Sequence, residues 1–474
     1  FVIDPTDEEA PVYFDSISFT TDDTDTYSPF DLTDRFTLTR SFLNFRGDGT
    51  PNIRLPNADG VRLIDSTIRC ESLIGNGCTV VEALSGTRNV FLGNVTLNVD
   101  DQALSYGLHA RGASSVYVDG STIEGRDQLL LVGNEIPTST LSENAFVQVT
   151  DSEFIRRGTG STRAPIRVSQ QSGGQIYRSS LTETGAPNNP EYIQVFEGNF
   201  QMFDSTLVSN NLARAAYESI WLDDPDGRVV LVNSEVTSGV STSAGKTVGL
   251  YVASGEALVF NSVVHGGFGD TAVAIWNEDS TVTAIHNVLI GGGDIDGCSG
   301  GCPGTTIVLD LDGDAETILA SNIVIPGSAT TLAVFLDNDG INPGSWVTSR
   351  NNLDYRNHGA LTPTACAVRE GSGCEAFNVT IEGANSFAFV GKDVASSNLT
   401  GDPRFVDASN GDYLIDISGS GSTASAAEGN GYADSKTLFS WSAVRVNPLD
   451  FDVEGDARFA TGGDGAIDIG IDER

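Results

Sequence analysis

The chain has 474 residues, of which 26 are basic and 64 acidic, for a formal net charge of −38. That balance excludes nucleic acid as a partner, since binding it requires a basic surface that replaces phosphate counterions, and it argues equally against an anionic membrane. No apolar run approaches the roughly 18 residues of a membrane-spanning helix, and the length allows two or three ordinary domains or one long solenoid.

The sequence opens on Phe1 rather than Met, the expected appearance of a chain whose signal peptide has been cleaved. Residues 1–33 are rich in Asp and Thr and hold one strand-like stretch, Val12–Phe19. They are expected to cap the first coil of a solenoid, whose open end would otherwise expose unpaired backbone and apolar core.

From residue 34 a short phrase recurs: apolar, any, apolar, any, a turn residue, usually Ser or Asn, any, apolar. It is first clear at Phe36–Leu43 and returns at Val61–Ile68, Val90–Leu97, Val116–Ile123, Val147–Phe154, Phe200–Leu207 and Val229–Val236, with another ending at Leu181. It continues at Ala257–Val264, Val282–Leu289, Thr317–Val324 and Trp346–Leu353. The turn positions run from Arg40 through Asp65, Asn94, Gly120, Asp151, Arg178, Asp204, Asn233, Asn261, His286 and Ser321 to Arg350. The step is about 28 residues, inside the window of repeat architectures.

Before each phrase lies another short stretch, such as Val80–Leu84, Gly107–Arg111, Leu129–Val132, Gly249–Ala253 or Val273–Asn277. These segments are too short and too β-branched for helices. Three short strands per coil, joined through residues that tolerate left-handed backbone, predict an all-β chain. The expected fold is a right-handed parallel β-helix of about 12 coils and three parallel sheets, spanning 34–360. A leucine-rich horseshoe lacks support, because no helix period appears.

The six cysteines fall as local pairs, Cys70 with Cys78, Cys298 with Cys302, and Cys366 with Cys374. Close pairs in even number predict three short-loop disulfides and an oxidising compartment. A zinc site would need two pairs to converge, and the repeat keeps them apart. Two long loops interrupt the coils at 291–304 and 356–385, and 361–400 is expected to hold a disulfide loop and the last coil.

From about Asn398 the repeat pattern breaks. Asp402-Pro-Arg-Phe-Val-Asp407, Gly411-Asp-Tyr-Leu414, Asp452-Val-Glu-Gly-Asp-Ala-Arg458 and Asp468-Ile-Gly-Ile-Asp-Glu473 follow one another. This segment, 401–474, resembles the C-terminal part of secreted bacterial β-helix proteins of the choice-of-anchor Q type. It departs from them at Ser422–Gly429, which lacks the Pro and Asp of that pattern. The resemblance implies a bacterial extracellular or cell-surface β-helix with a β-rich C-terminal cap, and it implies no activity.

Three constellations could carry chemistry. Alternation along the strand before each phrase places Glu82, His109, Arg111, Arg167, Gln194, Trp221, Tyr251, Trp276 and Phe335 on one face, in coils about 4.8 Å apart. Trp221, Tyr251, Trp276 and Phe335 would then form a ribbon for sugar rings; the plainer reading is large side chains on exposed strand positions. Second, Arg111, Arg126, Arg156, Arg157, Arg163, Arg167 and Arg178 gather within 68 residues, near Tyr106 and His109. Such a cluster suits a lyase, which needs a cation for a uronate carboxylate and a base for the C5 proton. The plainer reading is pairing with Asp127, Asp151 and Glu153.

Third, Asp224-Pro-Asp226-Gly, Asp310-Leu-Asp312-Gly with Asp314, and Asp337-Asn-Asp339-Gly recur after the same strand. Their carboxylates could converge on Ca²⁺, although turn chemistry alone also explains Asp-x-Asp-Gly. Asp223 and Asp224 could be hydrolase residues, as polygalacturonases share the fold and use Asp on this face. Their Gly-His-Gly and Arg-Ile-Lys elements are missing, and Val264-His-Gly-Gly267 does not restore them.

The leading expectation is a non-catalytic extracellular protein: a surface adhesin, matrix or filament subunit whose partners are polysaccharide or further copies of itself. The alternative is a polysaccharide lyase or glycoside hydrolase using His109, Arg111, Arg167, Asp223 and Asp224.

Overall fold

The computed structural model describes residues 2–3, 11–21, 30–46, 51–71, 77–99, 105–134, 144–157, 163–184, 191–209, 216–241, 245–293, 303–329, 332–338, 346–355, 364–370, 373–374, 394–396, 398–400, 402–407, 412–415 and 425–427. The chain is an all-β parallel β-helix, with no helix among the described residues. It divides into two compact units, Phe1–Asn211 with Asp226–Arg228, and Leu212–Pro225 with Val229–Arg474.

Each coil carries three strands, here called lead, middle and trailing. In one coil of unit 1 they are Thr79–Ala83, Val90–Gly93 and Thr96–Val99. Every strand pairs in parallel with its equivalent in the next coil: Val81 with Leu108 in the lead ladder, Leu92 with Val118 in the middle, Leu97 with Ile123 in the trailing. Unit 2 repeats the scheme, its lead and middle strands running together as Lys246–Phe260 and pairing with Thr271–Glu278 and Thr281–Ile285.

The turn residues behave as their type predicts. From Arg40 to Ser321 the expected positions have φ between 43° and 58°, the left-handed region. The last one differs. Glu316 pairs with Trp346 and Ala320 with Arg350, so the turn falls on Asn351, at φ 51°, one residue beyond the expected Arg350. The N-terminal stretch differs too. Val12–Phe19 is broken at Ser16 (φ 58°) into Val12–Asp15 and Ser18–Thr21, which pair with Phe36–Thr39 and Phe42–Arg46 as a coil of their own.

The residue after the turn, usually Ser or Asn as the phrase expects, ties neighbouring coils together. In unit 1 the backbone N–H of Ser41 donates to Ser66 Oγ, Val95 to Ser121, Ser121 to Ser152, Ser152 to Ser179 and Ser179 to Ser205, all at 3.0–3.1 Å. Each of these five hydroxyls in turn donates to the carbonyl two residues before it, at 2.6–2.8 Å. In unit 2 asparagine takes over. Ser262 N–H donates to Asn287 Oδ1, Asn287 to Asn322, Asn322 to Asn352 and Asn352 to Asn398, at 2.8–3.0 Å. The side-chain amides of Asn287 and Asn322 also donate to the next oxygen in line and to Val259 and Ala284 carbonyls. All four asparagines are essentially inaccessible. Asparagine can extend such a chain because it carries donor and acceptor together.

At the lead strands strict alternation fails. A β-carbon on Gly107 would lie 2.6 Å from Ile123 Cγ2, so position 107 points inward, and its neighbour Leu108 is also fully buried. Unit 2 does the same at Gly249, whose β-carbon would meet Val264 Cγ1 at 2.8 Å, followed by buried Leu250. Two consecutive inward residues turn this corner of each coil, so counting by twos across it changes face.

The trailing strands Val288–Ile290 and Ile323–Ile325 of unit 2 are apolar throughout and buried on both faces. The cause is the C-terminal segment. Phe405–Asp407 and Asp412–Ile415 form an antiparallel pair. Tyr413, Ile415 and Ala427 pack with Val263, Val288, Ile290, Ile323, Ile325 and Leu353, and Phe405 and Tyr355 lie against them. Strands covered on both faces read as continuous apolar runs.

Cys70 and Cys78 are joined in a disulfide and buried. The pairs Cys298 with Cys302 and Cys366 with Cys374 lie outside the described side chains.

The buried amide ladder generates a test. Replacing Asn322 with Ala strands the Asn287 N–H and the Ala284 carbonyl, and each unsatisfied buried group costs about 1–3 kcal/mol. Asn322→Ala is expected to lower the stability of unit 2 by about 2–4 kcal/mol, and Asn322→Ser, the residue other coils use there, by less. Thermal and urea melts read it; an unchanged midpoint for the Ala variant would show that the ladder contributes nothing.

Candidate functional site

The lead-strand column is real within each unit, with different membership from that expected. In unit 1 the pairings put Arg54 beside Glu82, Glu82 beside His109, His109 beside Leu131, Leu131 beside Arg167, and Arg167 beside Gln194. In unit 2 the column is Tyr251, Trp276, Asp310, Asp337.

Phe335 is the clear correction. It falls in the inward column of Gly249, Ala274 and Val308 and is 2% exposed. The doubled inward step at the corner moved it to the core, and Asp337 holds the outward place in its coil.

Trp221, Tyr251 and Trp276 do come together, each half-buried. Trp221 and Tyr251 are parallel, with ring centres 6.3 Å apart; Tyr251 and Trp276 stack at 4.2 Å. Tyr251 and Trp276 rest on the buried row Val248, Val273, Ile307 and Val334. Lys246 Nζ stands 3.1 Å from the centre of the Trp276 ring and 2.7 Å from Asp310 Oδ2, room that the stacked phenol leaves on the other face of the indole. The rings therefore spend their faces on one another and on the ammonium, and present rims outward. The Tyr251 hydroxyl donates to Glu278. Burial, that bond and the charges of Glu278, Glu218 and Asp223 hold the Tyr251 hydroxyl well above the usual phenol range.

In unit 1 a second group of side chains meets. Arg111 Nη2 is 2.9 Å from Glu82 Oε1, and His109 Nδ1 is 3.8 Å from the same oxygen. His109 Nε2 lies 3.1 Å from the Gly133 carbonyl, which can only accept, so Nε2 carries the proton and Nδ1 faces Glu82. The Tyr106 ring lies 5.3 Å from that of His109, tilted by 30°, and Arg163 donates to the Tyr106 hydroxyl while lying 5.4 Å over its ring. Arg167 lies 4.9 Å over Phe196. Burial pushes the Glu82 carboxyl above its ordinary value; Arg111 and Arg54 oppose this and Asp31 adds to it. Of the seven arginines clustered in sequence, then, Arg111, Arg163 and Arg167 reach the lead face and the other four do not. Arg156 forms a buried pair with Glu183 at 2.9 Å, Arg157 pairs with Glu124, Arg178 pairs with Asp151 at the turn, and Arg126 is exposed. Asp127 caps the Ser105 N–H, and Glu153 is exposed.

The acidic residues are distributed rather than gathered. Asp312 accepts from the Gly313 N–H and Asp279 from the Asp314 N–H, which is turn chemistry. Asp224 and Asp337 are buried, Asp223 is half-buried, Asp226 and Asp314 are exposed, and Asp339 lies outside the described residues. Among the described residues no group of three or more metal-ligating side chains is placed around a common point. His265, of the Val264-His-Gly-Gly267 element, accepts from Gly267 N–H at Nδ1 and meets the Gly293 carbonyl with Nε2, so both nitrogens serve the turn.

No protein-family model matches this sequence, and no curated protein matches it either. Glu82 is legible in the sequence from the column position it shares with His109, while Tyr106 lies on the strand of His109 in the column of Thr79 and Gln128.

Glu82 offers a direct check on this geometry. Its folded-state pKa is raised, so its contribution to stability is present below the unfolded value and is lost as pH rises through the folded one. Carboxyl ¹³C NMR should place its midpoint above 4.5, and the drop in stability on raising pH should be smaller in Glu82→Gln. A midpoint at or below 4.5 contradicts the burial described.

Proposed function

We propose that the protein is a non-catalytic, extracellular β-helix, a surface adhesin, matrix or filament subunit, that binds glycans along the lead face of unit 2. The observation that supports this reading most is the column of Trp221, Tyr251 and Trp276 with Glu218, Asp223, Glu278 and Asp310 around it. Ring rims supply a narrow apolar strip for the carbon faces of sugars. Carboxylates accept from sugar hydroxyls, and such charge-assisted bonds are the strong ones. An extracellular setting is supported by the Cys70–Cys78 disulfide and by an acidic exterior that keeps the protein soluble.

Affinity electrophoresis through a panel of neutral polysaccharides tests it. At least one should retard the protein, and Trp276→Ala should weaken that binding about tenfold, the loss of roughly 1.4 kcal/mol of ring contact. Absence of retardation across the panel would end the glycan reading. A screen at 235 nm and for reducing sugar should find no turnover; product that disappears in His109→Ala would overturn the non-catalytic part.

A further inference from the structure

The middle sheet of unit 1 has an outer face whose composition departs from the rest of the chain. Its strands Val90–Gly93, Ser115–Asp119, Phe146–Thr150, Gly173–Tyr177 and Asn199–Phe203 pair in parallel in that order. One outward column reads Phe91, Tyr117, Gln148, Gln175, Gln201, and its neighbour reads Gly93, Asp119, Thr150, Tyr177, Phe203. On the other side lie Ser115, Phe146, Gly173 and Asn199. Asp119 carries the single charge of these columns, on a chain of net charge −38.

Two glycines make room for the rings. A β-carbon on Gly93 would lie 2.5 Å from Phe91 Cε1, so the Phe91 ring reaches along its own strand into the space a side chain would take. A β-carbon on Gly173 would lie 3.2 Å from Phe146 Cδ2, so that ring leans over the next strand. Neither glycine has a positive φ, so the rings and not the backbone call for them. Phe91 and Phe146 are half-buried, and Tyr117 between them is 40% exposed. Tyr117 and Phe146 meet edge to face at 6.5 Å, which occupies one ring face of four, unlike the stacked rings of unit 2. The Arg62 guanidinium lies 5.5 Å from the centre of the Phe91 ring and closes the strip at that end.

Beyond the rings the column turns to amides. Gln175 Nε2 donates to Gln201 Oε1 at 3.0 Å, and the Tyr177 hydroxyl donates to Gln175 Oε1 at 3.3 Å. Each amide has two donors and two lone pairs, so these bonds leave capacity for a ligand.

Charge, area and layout define the occupant. Aromatic rings beside amides match a neutral ligand with apolar faces and a hydroxyl rim, which is the build of a pyranose ring. Five strands about 4.8 Å apart and five residues of about 3.3 Å give a face of roughly 20 by 16 Å. That is about 300 Å², well below the roughly 800 Å² per partner of a stable protein interface, which argues against a second copy. The rings stand at one end and the amides at the other, so an extended chain along the solenoid axis meets both, and a curled chain meets one.

We propose that the middle face of unit 1 binds an extended neutral polysaccharide lying along the solenoid axis. Its sugars rest on Phe91, Tyr117 and Phe146 at one end and bond to Gln148, Gln175 and Gln201 at the other. The site lies on a different sheet and in a different unit from the Trp221, Tyr251 and Trp276 column, and it stands whether or not that column binds sugar.

Calorimetry with four probes tests it: cellohexaose and chitohexaose, neutral and extended; maltohexaose, neutral and curved; hexagalacturonate, extended and charged. At least one extended neutral probe should bind, and the curved and charged probes at least tenfold more weakly. Tyr117→Ala and Gln175→Ala should each weaken that binding about tenfold, the worth of one ring contact or one hydrogen bond. Both side chains point outward, and a melt checks that each variant is folded. Gly93→Ala, which removes no ring but displaces Phe91, should weaken binding as well, while Trp276→Ala should not change it. The proposal is overturned by no binding of either extended neutral probe, by equal binding of the curved or charged one, or by binding indifferent to both Tyr117→Ala and Gln175→Ala. Binding that Trp276→Ala abolishes and Tyr117→Ala leaves unchanged belongs to unit 2 and overturns it equally.

Discussion

One residue beyond most turns, a buried hydroxyl or amide ties the backbone of one coil to the side chain of the next. This contact decides register. A parallel strand can slip by two residues and keep its inward face apolar, so apolar stacking alone does not choose between alignments. A buried N–H that finds its acceptor only in one alignment does choose, because every slipped arrangement leaves donors unsatisfied at about 1–3 kcal/mol each. The left-handed turn residue before it sets the direction of the chain into that position. Everything outside the coil inherits its place from this ladder: the columns on the lead face, the outer rows of the trailing sheet, and the bed on which the C-terminal segment lies.

Much of this was legible in the residues. The spacing of Asp65, Asn94, Asp151 and Asp204 reported the turns because such residues tolerate positive φ, and the alternation of Val90, Leu92 and Leu97 reported the inward faces. The ladder itself was in view as Ser121, Ser152 and Ser179, yet small polar residues beside a turn also suit solvent. Only the three-dimensional stacking reveals that they are buried. The failure at Phe335 has a sharper cause. Period-two counting assumes a straight strand, and each lead strand bends at a corner where two neighbours both face inward. Val288-Leu-Ile290 is apolar on both sides because its outer side chains are not on a surface. A segment more than 100 residues later covers them.

The candidate sites follow from the same geometry. A column of outward residues at coil spacing brings together groups that no local motif could announce, and chemistry then differs by unit. In unit 2 the column is aromatic at Tyr251 and Trp276 and carboxylate at Asp310 and Asp337, with Lys246 bridging the two kinds. Stacked rings at this spacing shield one another, so the surface they offer is a rim bordered by acceptors. In unit 1 the column carries Glu82, His109 and Arg167, and Arg111 and Arg163 reach it from strand ends. The seven arginines clustered in sequence were too coarse a signal, since four of them lie on the trailing strands and turns. What selects the arginines that reach the lead face is the column, not the density of charge.

The residue after the turn fixes register from inside each unit. Native-state amide hydrogen exchange measures this most directly. The N–H groups of Ser121, Ser152, Asn287, Asn322 and Asn352 should exchange only through opening of the whole unit, with the largest protection in their coils. Exchange of these amides at the rate of the connecting loops would contradict it, and the alignment of both candidate faces would lose its foundation.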